Sequence, residues 1–185
     1  MPDVWLIRHA PAVENLSGTF MGQLDAEADA RALTQLAALA GTIAADVVLS
    51  SPLLRAARTA AALFPDHAIT HDTRLAERHL GDWQGRVKAQ VRAERPDAFT
   101  ERGTLDLCVT PPGGEPWSAF AARVDAIMRE IAAWPADRRV ALVAHNGVLR
   151  TVRVLLGQVD VAMASRMTEP FTRPDVIVID AAALR

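Results

Sequence analysis

The chain has 185 residues, 50% of them hydrophobic and 23% charged, with a formal net charge of −2. That composition excludes a disordered chain, and the weak charge excludes a broad nucleic-acid surface, so no nucleic-acid partner is expected. No apolar run approaches the ~18 residues of a membrane helix, so no membrane partner is expected either.

The single cysteine, Cys108, leaves no disulfide within the chain and no multi-cysteine zinc site. There is no tyrosine, which removes tyrosine nucleophiles and acids. Of 20 basic residues only Lys88 is lysine; the rest are arginine, a side chain suited to bidentate recognition of phosphate or carboxylate. The first residues lack the charged and apolar regions of a signal peptide, and a cytoplasmic protein is expected.

Val4 to Ile7 reads as a buried strand ending in Arg8-His9. A turn-rich stretch follows, from Ala10 to about Asp25. Leu33, Leu36, Ala40 and Ile43 recur at helical spacing, which predicts an amphipathic helix over 26–44. Asp46 to Ser50 reads as a second buried strand. Ser51-Pro52 reads as the start of a helix running to about Phe64. A weak strand is expected over 67–70. Residues 74–116 are polar and irregular, with a short helix over 86–95 and a Pro-Pro-Gly-Gly stop at 111–114.

Trp117, Phe120, Val124, Ile127 and Ile131 mark a further helix. Val140 to Ala144 is a third strong strand, followed by His145-Asn146-Gly147 and a helix to about Leu156. Asp175 to Asp180 is a last strand. Strands alternating with helices predict a three-layer α/β/α sandwich with a mixed, mainly parallel sheet. With no repeat or linker, residues 1–185 read as one domain, with a lid or insertion at about 86–116.

Ligands of open α/β sheets bind at the carboxyl ends of the strands. Three strands here end in Arg8-His9, in Ser50-Ser51-Pro52 with Arg55 one helical turn on, and in His145-Asn146-Gly147. Two His and two Arg on one rim suit a phosphoryl group. Arg8 and Arg55 can each donate paired N–H groups to its oxygens. A neutral His9 can attack phosphorus. A protonated His145 would stabilise the charge on the equatorial oxygens. Free N–H groups at the helix start after His145 add donors. Glu77, in a Gly- and Trp-containing loop, is the candidate proton donor to the leaving oxygen.

Leu6-Ile7-Arg8-His9, Asn15, the loop Gly18–Asp25, Ser50-Ser51-Pro52-Leu53-Leu54-Arg55-Ala56-Ala57-Arg58-Thr59, Glu77–Gly85 and Val143–Arg150 follow one another in this order. Together they resemble the blocks of the histidine phosphatase superfamily, also called phosphoglycerate mutase-like. The resemblance covers nearly the whole chain. It implies His9 as phosphorylated nucleophile, Glu77 as proton donor and a phosphate pocket of Arg8, Arg55 and His145. It implies Asn15 and the backbone of Asn146 near the substrate, and neither metal nor cofactor.

Some positions depart from the pattern. Ala10 stands for Gly, Thr19 for a frequent Arg, and Ala26–Arg31 for the usual Pro-Leu-Thr stretch. Lys88 falls where the mutases carry a substrate-binding lysine, yet Leu80 replaces their tyrosine. Pro111–Trp117 and Arg123 resemble the small phosphatases of the α-ribazole phosphatase type. The expected activity is therefore metal-independent hydrolysis of a small phosphorylated substrate through phosphohistidine. A mutase-like phosphoryl transferase and a non-catalytic phospho-ligand-binding module remain as alternatives. A metal-dependent hydrolase is disfavoured, because no Asp or Glu accompanies the His residues at ligand spacing.

Several residues invite plainer readings. Arg78 is open between a substrate contact and a surface salt bridge. Arg58, His67 and His71 read as surface residues and His79 as a loop residue. Trp83 reads as a packing anchor for the Glu77 loop and Trp117 as core. The sequence assigns no oligomeric state and no particular substrate.

Overall fold

The computed structural model describes residues 2–12, 18–171 and 175–178. Five strands, β1 (Asp3–Arg8), β2 (Val47–Ser50), β3 (Ile69–His71), β4 (Arg139–Ala144) and β5 (Asp175–Val178), form one sheet. Their order is β3-β2-β4-β1-β5. The pairs β1–β4, β2–β4 and β2–β3 are parallel, and β5 runs antiparallel to β1. The sheet is therefore mixed and mainly parallel.

Side chains alternate across the pleat, so each central strand feeds two cores. Val4 and Leu6 of β1 and Val140, Leu142 and Ala144 of β4 face one side. There they meet Phe120, Val124, Ile127 and Ile131 of α4 (Trp117–Ala132) and Val148 and Val152 of α5 (Asn146–Leu155). Ile7, Ala141 and Val143 face the other side. There they meet Leu36 of α1 (Ala30–Ala37) and Ala56, Ala60 and Leu63 of α2 (Leu54–Leu63). Two helix layers on one sheet are the expected three-layer sandwich.

Helix α1 is shorter than its apolar spacing predicts. Ala28 is held extended in a bridge with Ala12. Asp29 then caps the helix, accepting from the Ala32 N–H at 2.9 Å. The chain leaves the helix in turns that end at Gly41, whose φ of +77° is a left-handed conformation. Helix α2 begins at Leu54, without a side-chain cap from its own N-terminal residue. The Ser51 hydroxyl accepts from the Leu53 N–H at 3.3 Å, as predicted, and Asp25 adds a second cap by accepting from the Leu54 N–H at 2.7 Å. The Ser51 hydroxyl also has a second partner, described below.

The weak strand lies at Ile69–His71 and the short helix, α3, at Lys88–Glu94. A helix that the sequence pattern did not single out, α6 (Val161–Arg166), is capped by Asp160. Residues 179 and 180 of the predicted last strand lie outside the described residues. Among the described residues no helix is long and apolar enough to cross a membrane.

Candidate active site

Sheet order brings the two histidines together. Arg8 pairs with Ala144 in the β1–β4 ladder, and the His9 N–H continues it by donating to the Ala144 carbonyl at 2.9 Å. The next residues out are His9 and His145, whose ring centroids lie 4.8 Å apart. On the other side of β4, Ser50 pairs with Val143, and the Ser51 N–H donates to the Val143 carbonyl at 3.0 Å. Three strand ends thus meet on one rim. Below them lies a cavity of about 240 Å³, lined among others by Arg8, His9, Arg55, Glu77, Asn146 and Arg150.

His9 is buried, and its Nδ1 lies 2.6 Å from the Ala10 carbonyl. A carbonyl only accepts, so Nδ1 carries the proton and Nε2 keeps its lone pair. Burial and the Arg55 cation push the His9 pKa down to about 3, so the ring is neutral at neutral pH. The Ala10 carbonyl is itself steadied by its residue, whose N–H donates to the Thr59 hydroxyl at 2.8 Å. Ala10 is fully buried within the second core, so its methyl group is accommodated where the family pattern has Gly.

His145 is fully buried, with Nε2 at 2.8 Å from the Ser51 hydroxyl. Its Nδ1 is buried and has no hydrogen-bond partner among the described residues. Burial, then His9, Arg55 and Arg8, push its pKa well down. The role read from the sequence is conditional on a protonated ring; burial beside two guanidinium groups disfavours that cation in the unliganded protein.

Arg8 lies with its guanidinium carbon 3.5 Å from the centre of the Phe171 ring, and Nη1 donates to the Glu169 carbonyl. Burial pushes its pKa down to about 10, which leaves it charged at neutral pH. Arg55 is 1% exposed. Its Nη1 and Nη2 donate to the Leu24 and Gly22 carbonyls, each at 2.7 Å. Gly22 has φ +49°, and a Cβ there would lie 2.4 Å from Gln84 Oε1, so this carbonyl approaches Arg55 on a turn only glycine fits.

Glu77 lines the same cavity. Its Oε1 accepts from the Arg78 N–H at 2.9 Å and its Oε2 from the Gly147 N–H at 3.1 Å. Its own carbonyl accepts from Gln23 at 2.9 Å and from Arg123 at 3.0 Å. Arg123 also pairs with Glu115 and donates to the carbonyls of Arg74 and Ala76. The loop carrying Glu77 is thereby tied to α4.

Arg78 is buried, not a surface residue, and it lines the cavity. It is 3% exposed, and it donates to the carbonyls of Leu107 (2.8 Å), Val109 (2.9 Å) and Glu115 (2.7 Å). Although it lines the cavity, its guanidinium is a strut that gathers the 107–115 segment. Asn146 lines the cavity at the start of α5, and its side-chain oxygen accepts from the Glu169 N–H at 2.8 Å. Asn15 lies outside the described residues.

The remaining expectations divide simply. Arg58 is exposed and pairs with Glu27. His67 and His71 are exposed. Trp83 is buried and forms a three-ring cluster with Phe20 and Phe99. Trp117 packs against the main core. Ser51, Thr59, Arg150 and Phe171 were not assigned to the site from sequence. Ser51 and Thr59 stand in the same block as Arg55, and hydroxyls one turn before and one turn after an active-site arginine were the available signal. Nothing in the sequence pattern marked Phe171.

Two cations, a neutral imidazole with a free lone pair and a carboxylate around one cavity suit in-line attack on a phosphoryl group. A family model described as the histidine phosphatase superfamily (branch 1) matches residues 4–180. Among curated relatives, the glucosyl-3-phosphoglycerate phosphatase of Mycobacterium tuberculosis is 35% identical over 170 residues, 85% of this chain and 76% of that protein. The adenosylcobalamin/alpha-ribazole phosphatase of Escherichia coli is 28% identical over 151 residues, 79% of this chain and 74% of that protein. Among solved structures, the native mycobacterial glucosyl-3-phosphoglycerate phosphatase matches with a TM-score of 0.82 at 32% identity, covering 95% of this chain and 89% of that one. The sandwich, the rim and these matches agree: the chain belongs to the histidine phosphatase superfamily, branch 1.

Proposed function

We propose that the chain is a metal-independent phosphomonoesterase that hydrolyses a small phosphorylated metabolite through a phosphohistidine at His9. The observation that carries this reading is the state of His9: neutral, with its Nδ1 proton held by the Ala10 carbonyl and Nε2 left as a base. A neutral imidazole among arginines is a poor cation site and a good nucleophile towards a dianion.

In the first step the Nε2 lone pair attacks phosphorus in line with the ester oxygen. The N–P bond forms, the P–O ester bond breaks, and the leaving oxygen takes a proton from the Glu77 carboxyl. In the second step water attacks phosphorus and gives its proton to the Glu77 carboxylate. The N–P bond breaks, its electrons return to Nε2, and inorganic phosphate leaves. Arg8, Arg55 and a neutral His145 donate to the equatorial oxygens, where charge is best stabilised by preorganised donors. The Asn146 N–H at the start of α5 adds to this set. Arginine donors supply the charge neutralisation that other phosphatases obtain from metal ions.

Segment 86–116 serves in this reading as a lid that keeps bulk water from the leaving group; Lys88, Phe99, Leu105 and Leu107 from it line the cavity. The cavity volume and the names of the two curated relatives support a small metabolite as substrate.

The test is phosphate release from a panel of phosphomonoesters in EDTA, with labelled phosphate trapped on the protein by rapid quench. Release that resists EDTA, with acid-labile label lost in His9→Ala, is the expected result. Release by folded His9→Ala, or dependence on added metal, overturns the reading.

A further inference from the structure

We infer that Ser51 is a positioning residue: its hydroxyl sets the tautomer of His145 so that the proton stands on Nδ1. The inference rests on the phosphatase reading only for the use made of that proton, which is donation to a phosphoryl oxygen.

The argument is a count of donors and acceptors. Ser51 and His145 are both fully buried. Among the described residues the Ser51 oxygen has two polar neighbours, the Leu53 N–H at 3.3 Å and His145 Nε2 at 2.8 Å. The Leu53 N–H can only donate, so the Ser51 oxygen accepts from it. Leu53 offers the hydroxyl proton no acceptor, so among the described residues Nε2 is the acceptor available to it. A neutral imidazole with Nε2 accepting carries its proton on Nδ1. Nδ1 is the buried atom that lacks a partner among the described residues, on a ring 4.8 Å from that of His9.

The opposite tautomer strands two groups. Nε2–H would donate to Ser51, whose own proton would then have no acceptor among the described residues, and the Nδ1 lone pair would have no donor among them. Buried polar groups are rarely left in that state. The two histidines are thus set by different means. A carbonyl keeps the Nδ1 proton on His9 and frees Nε2 to attack. A hydroxyl occupies Nε2 of His145 and frees Nδ1–H to donate. The position of Ser51 follows from the β2–β4 ladder, which carries the residue after Ser50 level with the end of β4.

Nitrogen-15 NMR of the histidine side chains of the unliganded protein, at and above neutral pH, tests this directly. The expected spectrum for His145 has a protonated Nδ1 and an unprotonated Nε2. An Nε2–H tautomer in the wild type overturns the inference. That reading needs no activity, so it stands apart from a failure of the phosphatase assignment, which absent phosphate release in the wild type would reveal.

Kinetics supply a second arm. Ser51→Ala is expected to lower kcat on the order of 10–100-fold with little change in KM. Its His145 signal is expected to become a mixture of tautomers, and Ser51→Thr is expected to restore both. A folded Ser51→Ala protein with wild-type kcat and an unchanged His145 tautomer would sink the inference. If Ser51→Ala does not fold, the wild-type spectrum still decides it.

Discussion

Gly147 and Glu77 occupy one space: a Cβ built on Gly147 would lie 2.1 Å from Oε1 of Glu77. The glycine N–H also donates to Oε2 of the same carboxylate at 3.1 Å. Gly147 therefore provides both the room and the anchor for the candidate acid. Because the clash is with the end of a flexible side chain, Gly147→Ala should displace Glu77 and leave the fold intact. Alanine also suits the first turn of α5 better than glycine. We predict an unchanged or raised thermal midpoint with a fall in kcat/KM on the order of 100-fold. Parallel thermal melts and steady-state kinetics check the separation.

Glu77→Gln removes the transferable proton at nearly constant size. The loss should track the leaving group. For an alkyl phosphate, whose alkoxide needs a proton, kcat should fall on the order of 10²–10⁴-fold. For p-nitrophenyl phosphate, whose phenolate leaves unaided, the fall in the first step should be slight. Equal losses across such a pair would argue that Glu77 does not protonate the leaving oxygen.

The depressed pKa of His9 makes stability depend on pH. Between the ordinary value of 6.5 and the folded value of about 3, the unfolded chain binds a proton at His9 and the folded chain does not. Unfolding is therefore favoured by acid: the contribution is present in full above about pH 6.5 and lost as pH falls towards 3. His145 acts in the same sense. One such group contributes a slope of at most about 1.4 kcal/mol per pH unit. Urea unfolding between pH 7 and 4.5 should show falling stability, and His9→Gln should flatten the curve. Asp46 and Asp72, whose pKa values are lowered by Arg139 and Arg74, lose their contributions at lower pH. In the same window kcat/KM should show no acid limb near 6.5 from His9.

Arg78 is predicted to matter for stability before substrate binding. Arg78→Met would leave the carbonyls of Leu107, Val109 and Glu115 without their charged donor. The cost should be roughly 3 kcal/mol or more, since each lost bond to a charged group is worth about 1.5–3 kcal/mol. Arg78→Lys should rescue little, because one ammonium does not reproduce the fork that reaches three carbonyls. Denaturant unfolding measures the loss. A surface salt-bridge residue would change stability by less than about 1 kcal/mol.

What the sequence alone determined was periodic and local. The continuous apolar runs of Val4–Ile7 and Val140–Ala144 specified strands that are buried on both faces. The blocks around His9, Arg55, Glu77 and His145 specified the candidate chemistry, because a side chain's chemical type is written in its letter. Helix spacing marked α4 and α5 but overran α1, since Leu33–Ile43 keeps a helical period through turns that end at Gly41.

What only the tertiary structure decided was pairing. Arg78 and Arg58 look alike in sequence, yet one is a buried strut on three carbonyls and the other an exposed partner of Glu27. Ser51 reads as a helix cap until the β2–β4 register brings its hydroxyl to His145. Phe171 carries no pattern of its own, and only folding lays its ring on Arg8. The protonation of His145 was likewise hidden. A charge state depends on burial and on neighbouring charges, and the neighbours here come from strands distant in sequence. Hydrogen-bond partners and desolvation are properties of the assembled rim, which no single segment contains.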